Sequence, residues 1–242
     1  PNENGEEDGQ LAHKRGLEAV IARLDTARLD RLTLLRTTLP LLKRSHTCGL
    51  AARLLGQQGA VEAVAHIEHA LAKSSLIQDR LECLEALVKL GQQEQSMRTL
   101  RSMLIHGTNE TRRLICDHLA RIATVEHADA LFMMMTAVDG DARIRLAGML
   151  YGLGDSRAFV ALRDAVLTLN GASPSSRVTV VLQTIETLGS QRFIGLLRGY
   201  VEREERAWFL KRATTIADRL MRHGKDEPPV EELRRHAERL WR

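Results

Sequence analysis

The most regular stretch of the chain reads DARIRLAGMLYGLGDSRAFVALRDAV, residues 141–166. Leu146, Met149, Leu150 and Leu153 recur at three- and four-residue steps, which align side chains on one face of an α-helix. Beyond the Leu-Gly-Asp at 153–155, Ala158, Leu162, Ala165 and Val166 resume the same spacing. The pattern predicts a helical hairpin turning at Gly154, where a residue without a Cβ readily takes the positive φ that ends a helix tightly. Neither helix can bury its apolar stripe alone.

The hairpin recurs. Comparable turns fall at Gly56, Gly91, Ala123, Gly189 and Gly224, so that with Gly154 the intervals are 35, 32, 31, 35 and 35 residues. A step back from Gly56 reaches Asp25, again between two amphipathic runs. Units that cannot cover their own apolar faces must stack, which predicts an all-α solenoid of about seven helix pairs. A basic residue stands eleven or twelve positions before each turn: Lys14, Arg44, Arg80, Arg112, Arg143, Arg177 and Arg212. Asp79, Glu110 and Asp141 lie just ahead of three of these, where the helix dipole favours an acid. Recurrence in every unit points to a structural ladder, each arginine bridging to an acid or carbonyl of a neighbouring unit.

Asp141, Arg143, Ala147, Leu153, Gly154, Asp155, Arg157, Ala158, Leu162 and Ala165 together resemble the short HEAT-like repeat associated with phycobilisome lyases. The units at Gly56, Gly91 and Gly189 match less closely, and those at Asp25, Ala123 and Gly224 least. The resemblance covers most of residues 11–242. It implies a right-handed superhelix whose second helices line the inner curve, and it specifies a fold more than a function. Some HEAT-like families are enzymes, notably alkylpurine DNA glycosylases and phycobilin lyases. The glycosylases carry an aromatic-rich concave surface around a catalytic acid, whereas Trp208 and Trp241, the only tryptophans here, fall in the last unit.

Residues 1–10, PNENGEEDGQ, are acidic and apolar-poor and predict a disordered lead-in, leaving 11–242 as a single solenoid domain. NGASPSS at 170–176 is the longest internal turn, and GKDEPP at 224–229 separates the last two helices, with Pro228 and Pro229 placed to start the final one. Pro40 is likewise expected to open the helix that reaches Leu55.

Composition agrees with helices: 44% of residues are hydrophobic and only 3% aromatic, against a barrel or sandwich of β-formers. The formal charge of +4 invites a nucleic-acid reading, so its distribution matters. Residues 11–44 carry eight Lys/Arg against three acids, whereas 45–199 carry sixteen against fifteen. The body is balanced and only the N-terminal part is basic. Arg far outnumbers Lys, an excess that codon bias alone can produce. Cys48, Cys83 and Cys116 are odd in number and set in helical apolar patterns, which predicts buried thiols in a reducing compartment. No apolar run approaches the ~20 residues that span a bilayer. The buried thiols make the cytoplasm the expected setting; the opening at Pro1 rather than Met leaves the soluble part of a longer, anchored protein as the alternative.

Nothing calls for a catalytic residue, a metal or a cofactor. Glu62, His66 and His69 share a helix face but lack the third ligand and general base of a zinc enzyme, and no nucleophile elbow, phosphate loop or dinucleotide fingerprint occurs. The strongest binding feature lies on the second helices. Aligning them by their apolar residues puts Ala65, Arg101, Phe132, Arg163 and Arg198 in one column, with His66, Arg98, Arg157, Arg192, Arg203 and Arg206 nearby. Phe132 opens a Phe-Met-Met-Met run that reads first as ordinary core, since Leu131, Met134 and Met135 occupy buried columns; only Phe132, on the inner column, and Met133 are left unexplained, and an adaptable binding surface is the alternative. The expected function is a non-enzymatic scaffold that binds a segment of another protein in its concave groove. The alternatives are a nucleic-acid binder or repair glycosylase using the arginine column, and a lyase-like helper of cofactor attachment.

Overall fold

A computed structural model of the chain describes residues 31–44 and 47–225. These residues form twelve α-helices with short 3-10 turns and no strand; Ser190 and Lys225 alone make an isolated bridge. The turn expected at Asp25, the ladder position Lys14, the acidic lead-in and the helix expected from Pro228 and Pro229 lie outside the described residues. No helix among those described is long and apolar enough to cross a membrane. The chain divides into two compact units, one ending at Ile122 and one starting at Ala123.

The described helices of unit 1 are α1 (Arg31–Thr38), α2 (Cys48–Gln57), α3 (Val64–Lys73), α4 (Ile77–Lys89), α5 (Gln93–His106) and α6 (Asn109–Ile122). The first helices of successive pairs, α2, α4 and α6, pack side by side, and α3 and α5 lie against α4. Every residue of α4 from Leu81 to Val88 is buried. Its sequence is apolar on more than one face because it has neighbours on more than one side. Leu55, Ile67, Leu81, Leu84, Leu100, Leu104, Ile115 and Leu119 are among the fully enclosed side chains of this core.

Unit 2 contains α7 (Ala128–Thr136), α8 (Gly140–Gly152), α9 (Arg157–Leu167), α10 (Ser175–Leu188), α11 (Ile194–Val201) and α12 (Ala207–His223). First helices α8, α10 and α12 pack in series, α7 and α9 lie against α8, and α11 packs on both α9 and α12. Leu146 and Leu150 of α8 and Ala158, Leu162, Ala165 and Val166 of α9 are buried, as their spacing predicts.

The turns follow the predicted register with one instructive difference. Gly91, Gly154 and Gly189 have φ of +90°, +88° and +64°, and α6 ends at Ile122, next to Ala123. Gly56, in contrast, is helical, and the chain reverses instead at Gly59, whose φ is +63°. Gly56 serves close packing: a Cβ built there would lie 2.7 Å from Ala86 Cα and 2.9 Å from Ala86 Cβ, on the facing helix α4. Pro40 also departs from expectation. It opens a 3-10 helix, Leu39–Lys43, and not α2, because Arg44 is extended and Thr47 Oγ1 donates to the Leu41 carbonyl at 2.7 Å before α2 begins at Cys48.

Part of the basic ladder forms. Arg112 donates from Nε to Leu104 O at 2.9 Å and from Nη2 to Ile105 O at 3.0 Å, satisfying carbonyls near the end of α5. Arg212 reaches Glu186 of α10 at 3.7 Å. The side chain of Arg143 is exposed and makes no hydrogen bond or ion pair with the described residues, so its expected bridge is absent. Off the ladder, Arg203 donates to Leu167 O, and Arg206 donates to Ser173 O and Asn170 O, fastening the predicted 170–176 turn. Arg112→Ala is expected to lower stability in urea by about 1–2 kcal/mol, because two carbonyl bonds are lost, while Arg143→Ala changes it by less than about 0.5 kcal/mol. Equal midpoints for the two variants would contradict the assignment.

Candidate interaction face

Each second helix has a buried stripe and an opposite, outward side. On α7, Leu131, Met134 and Met135 are buried, as expected, and Met133 opposite them is 48% exposed. On α9, Val160 and Leu167 stand opposite the buried Leu162 and Val166 and are 50% and 46% exposed. On α11, Leu197 and Tyr200 face inward; Gly195 and Gly199 lie on the other side, and a Cβ at either would meet nothing within 4 Å. The outward side in unit 2 thus carries exposed apolar or small residues, with Asp129 one turn from Met133 on the same face of α7.

The predicted residues fall around these positions. Phe132 and Arg157, noted separately in the sequence, come together: the guanidinium carbon lies 4.4 Å from the ring centroid. Arg157 also bonds Asp155 Oδ2 at 2.6 Å and Asp129 Oδ1 at 2.8 Å. Asp155 first, then Asp129 against the cost of burial, makes this guanidinium still harder to deprotonate than usual. Arg192 lies 5.7 Å from the ring of Phe159, which packs in turn against Tyr151 and Phe193. Arg163 pairs with Asp164 at 2.9 Å, and Arg198 Nη2 contacts the Met221 thioether at 2.9 Å.

Unit 1 holds the other two predicted residues. His66 is exposed on α3, and Arg101 on α5 is half-buried, its Nε enclosed without a hydrogen-bond partner. Arg98 pairs with Glu94 at 3.2 Å. Carboxylates already engage the charges of Arg157 and Arg163. Among the described residues, no group of three or more His, Cys, Asp or Glu side chains is arranged to hold a metal ion, the Glu62, His66 and His69 set included.

Two polar clusters escaped the sequence reading. In unit 1, Glu85 of α4 receives Lys89 Nζ at 2.9 Å and Arg121 Nη2 at 3.2 Å, and it lies 3.3 Å from His118 Nδ1 of α6. His118, Lys89 and Arg121 hold its carboxyl at about 2 despite burial. Gln78 links His118 to Glu82. In unit 2, Glu204 accepts hydrogen bonds from the Tyr200 hydroxyl and from Arg206 Nε at 2.7 Å, with none of its side chain exposed. Both clusters are built around a buried carboxylate and link neighbouring elements. In unit 1 the sequence signal is an acid placed inside an apolar run, as with Glu82 and Glu85 in LECLEALV; Glu204, within the charged run EREER at 202–206, carries no such signal.

No protein-family model matches the chain, and comparison with curated proteins yields no significant match.

Proposed function

We propose that this chain is a non-enzymatic protein-interaction scaffold of the HEAT-like kind, a right-handed solenoid of about seven helix pairs that binds an extended or helical segment of another protein along its second helices. The observation that supports this reading is the exposure of Met133, Val160 and Leu167 on the outward sides of α7 and α9. Complete burial of such a side chain is worth roughly 1.5–3 kcal/mol, so even partial cover by a partner provides anchoring energy. Methionine adapts its shape to the surface it meets. The flanking arginines favour a protein over a phosphate backbone, because Asp129, Asp155 and Asp164 already engage Arg157 and Arg163. The plate formed by Phe132 under Arg157 adds a rigid edge to this face.

A photo-crosslinking residue introduced at Met133 or Val160, with Arg143 as an exposed first-helix control, would identify the partner. Binding of that purified partner is then measured directly. The double change Met133→Glu and Val160→Glu is expected to weaken binding by about tenfold or more, equivalent to about 1.4 kcal/mol, with the melting temperature unchanged. Equal crosslinking from all three positions would remove the assignment of the face. Tight duplex binding at physiological salt, falling steeply as salt rises, would replace the scaffold with the nucleic-acid reading.

A further inference from the structure

We infer that Cys48 and Cys83 form a peroxide-reactive thiol pair that closes to a disulfide between α2 and α4. The two sulfurs lie 3.7 Å apart, and the residues are 3% and 0% exposed. They are separated by 35 residues and lie on adjacent first helices, Cys48 at the start of α2 and Cys83 in the middle of α4. The facing helices touch closely on this side. A Cβ at Gly49, next to Cys48, would lie 2.7 Å from Asp79 Oδ1 and 3.1 Å from Asp79 Cα. A disulfide needs the sulfurs about 1.7 Å closer than they stand, a movement within reach of side-chain rotation.

The two thiols are not equivalent. Cys48 is the first residue of α2, where the amide groups of a helix start stabilise a thiolate. Either sulfur can donate in the contact between them; with Cys83 as the donor, that bond outweighs burial and the nearby Asp79 and brings the Cys48 thiol below the ordinary value. Cys83 lies within α4; its bond to Cys48, burial, and the charges of Asp79 and Glu82 push its thiol up. Cys48 is therefore the attacking sulfur and Cys83 the resolving one. The Cys48 thiolate attacks one oxygen of hydrogen peroxide, the O–O bond breaks, and hydroxide leaves a sulfenic acid behind. Cys83 gives its proton to that hydroxide, and its sulfur attacks Cys48 Sγ, expelling the sulfenic oxygen as hydroxide, which takes up a proton. Overall, two thiols and one peroxide yield one disulfide and two waters. Both sulfurs are enclosed, so a small hydroperoxide is expected to react faster than a bulky reagent such as glutathione disulfide.

The test treats the folded chain with hydrogen peroxide, then alkylates remaining thiols after unfolding and maps the peptides by mass spectrometry. The expected product joins the Cys48 and Cys83 peptides with loss of two hydrogens, leaves Cys116 alkylated, melts at a higher temperature and reverts with reductant. Cys48→Ser and Cys83→Ser each prevent the bridge, Cys116→Ser does not, and glutathione disulfide reacts much more slowly than peroxide. Melting curves of the reduced variants confirm that they fold; if one does not, the map of the unaltered chain decides. Three alkylated thiols after peroxide, or Cys116 found in bridges as often as Cys83, would overturn the pair.

Discussion

Gly56→Val is expected to be among the most damaging single substitutions in unit 1, lowering stability by about 3 kcal/mol. The added Cβ alone would stand 2.7 Å from Ala86 Cα, a backbone atom that no rotamer change can move. Valine adds two methyl groups at the same place, so α2 must draw away from α4, loosening the contacts of buried Leu54, Leu55 and Leu87. Gly59→Ala is the control. It sits at φ +63° with nothing within 4 Å of its Cβ, so it carries only backbone strain, about 1 kcal/mol. Urea unfolding followed by circular dichroism compares the two, and a larger loss at Gly59 would contradict the close α2–α4 contact.

Glu204→Ala should rank beside it in unit 2 and exceed the loss at Arg112. The carboxylate gathers the Tyr200 hydroxyl and the Arg206 guanidinium at the corner between α11 and α12; its removal leaves a buried phenol without its acceptor and frees the arginine that fastens Asn170 and Ser173. The same group predicts how stability depends on pH. Arg206 first, then Tyr200, overcome burial and hold Glu204 at about 2, against an ordinary value of 4.5. The unfolded chain therefore binds a proton that the folded chain refuses between those values. The contribution is complete above about pH 4.5 and is lost as the pH falls towards 2. Glu85, also at about 2, acts in the same direction in unit 1. Melting temperatures should fall through this window, and Glu204→Gln should flatten the slope for unit 2. A slope unchanged in Glu204→Gln would assign acid lability elsewhere.

Much of the fold is legible because periodicity and turn chemistry are local. The Leu-Gly-Asp at 153–155 places both a helix end and a positive φ, and Gly91 and Gly189 repeat the device. Gly56 shows the limit of that logic: a glycine near a helix end satisfies a turn pattern and a packing pattern equally, and only the facing Ala86 distinguishes them. Pro40 shows another, since the extended Arg44 that separates its 3-10 helix from α2 has no local sequence signature. At the candidate face, apolar spacing places Met134 and Met135 inside correctly, and Phe132 beside the exposed Met133. It cannot reveal that Asp129, 28 residues away, would engage Arg157, because such pairing depends on where helices dock. The thiol pair was only partly within reach of sequence reasoning: a 35-residue spacing puts Cys48 and Cys83 on adjacent first helices, but their approach depends on how α2 docks on α4.

The arginines that bond helix-end carbonyls constrain the alphabet of this sequence. At Arg112 two nitrogens of one planar fork meet two carbonyls on successive residues, and at Arg206 the fork spans Ser173 and Asn170 while also holding Glu204. An ammonium group is a point donor without that planar geometry, so lysine keeps the charge but loses the paired reach. Drift between the two basic residues, neutral on most surfaces, is therefore costly at these positions. Part of the excess of arginine over lysine is chemical in origin, with codon usage left to account for the remainder.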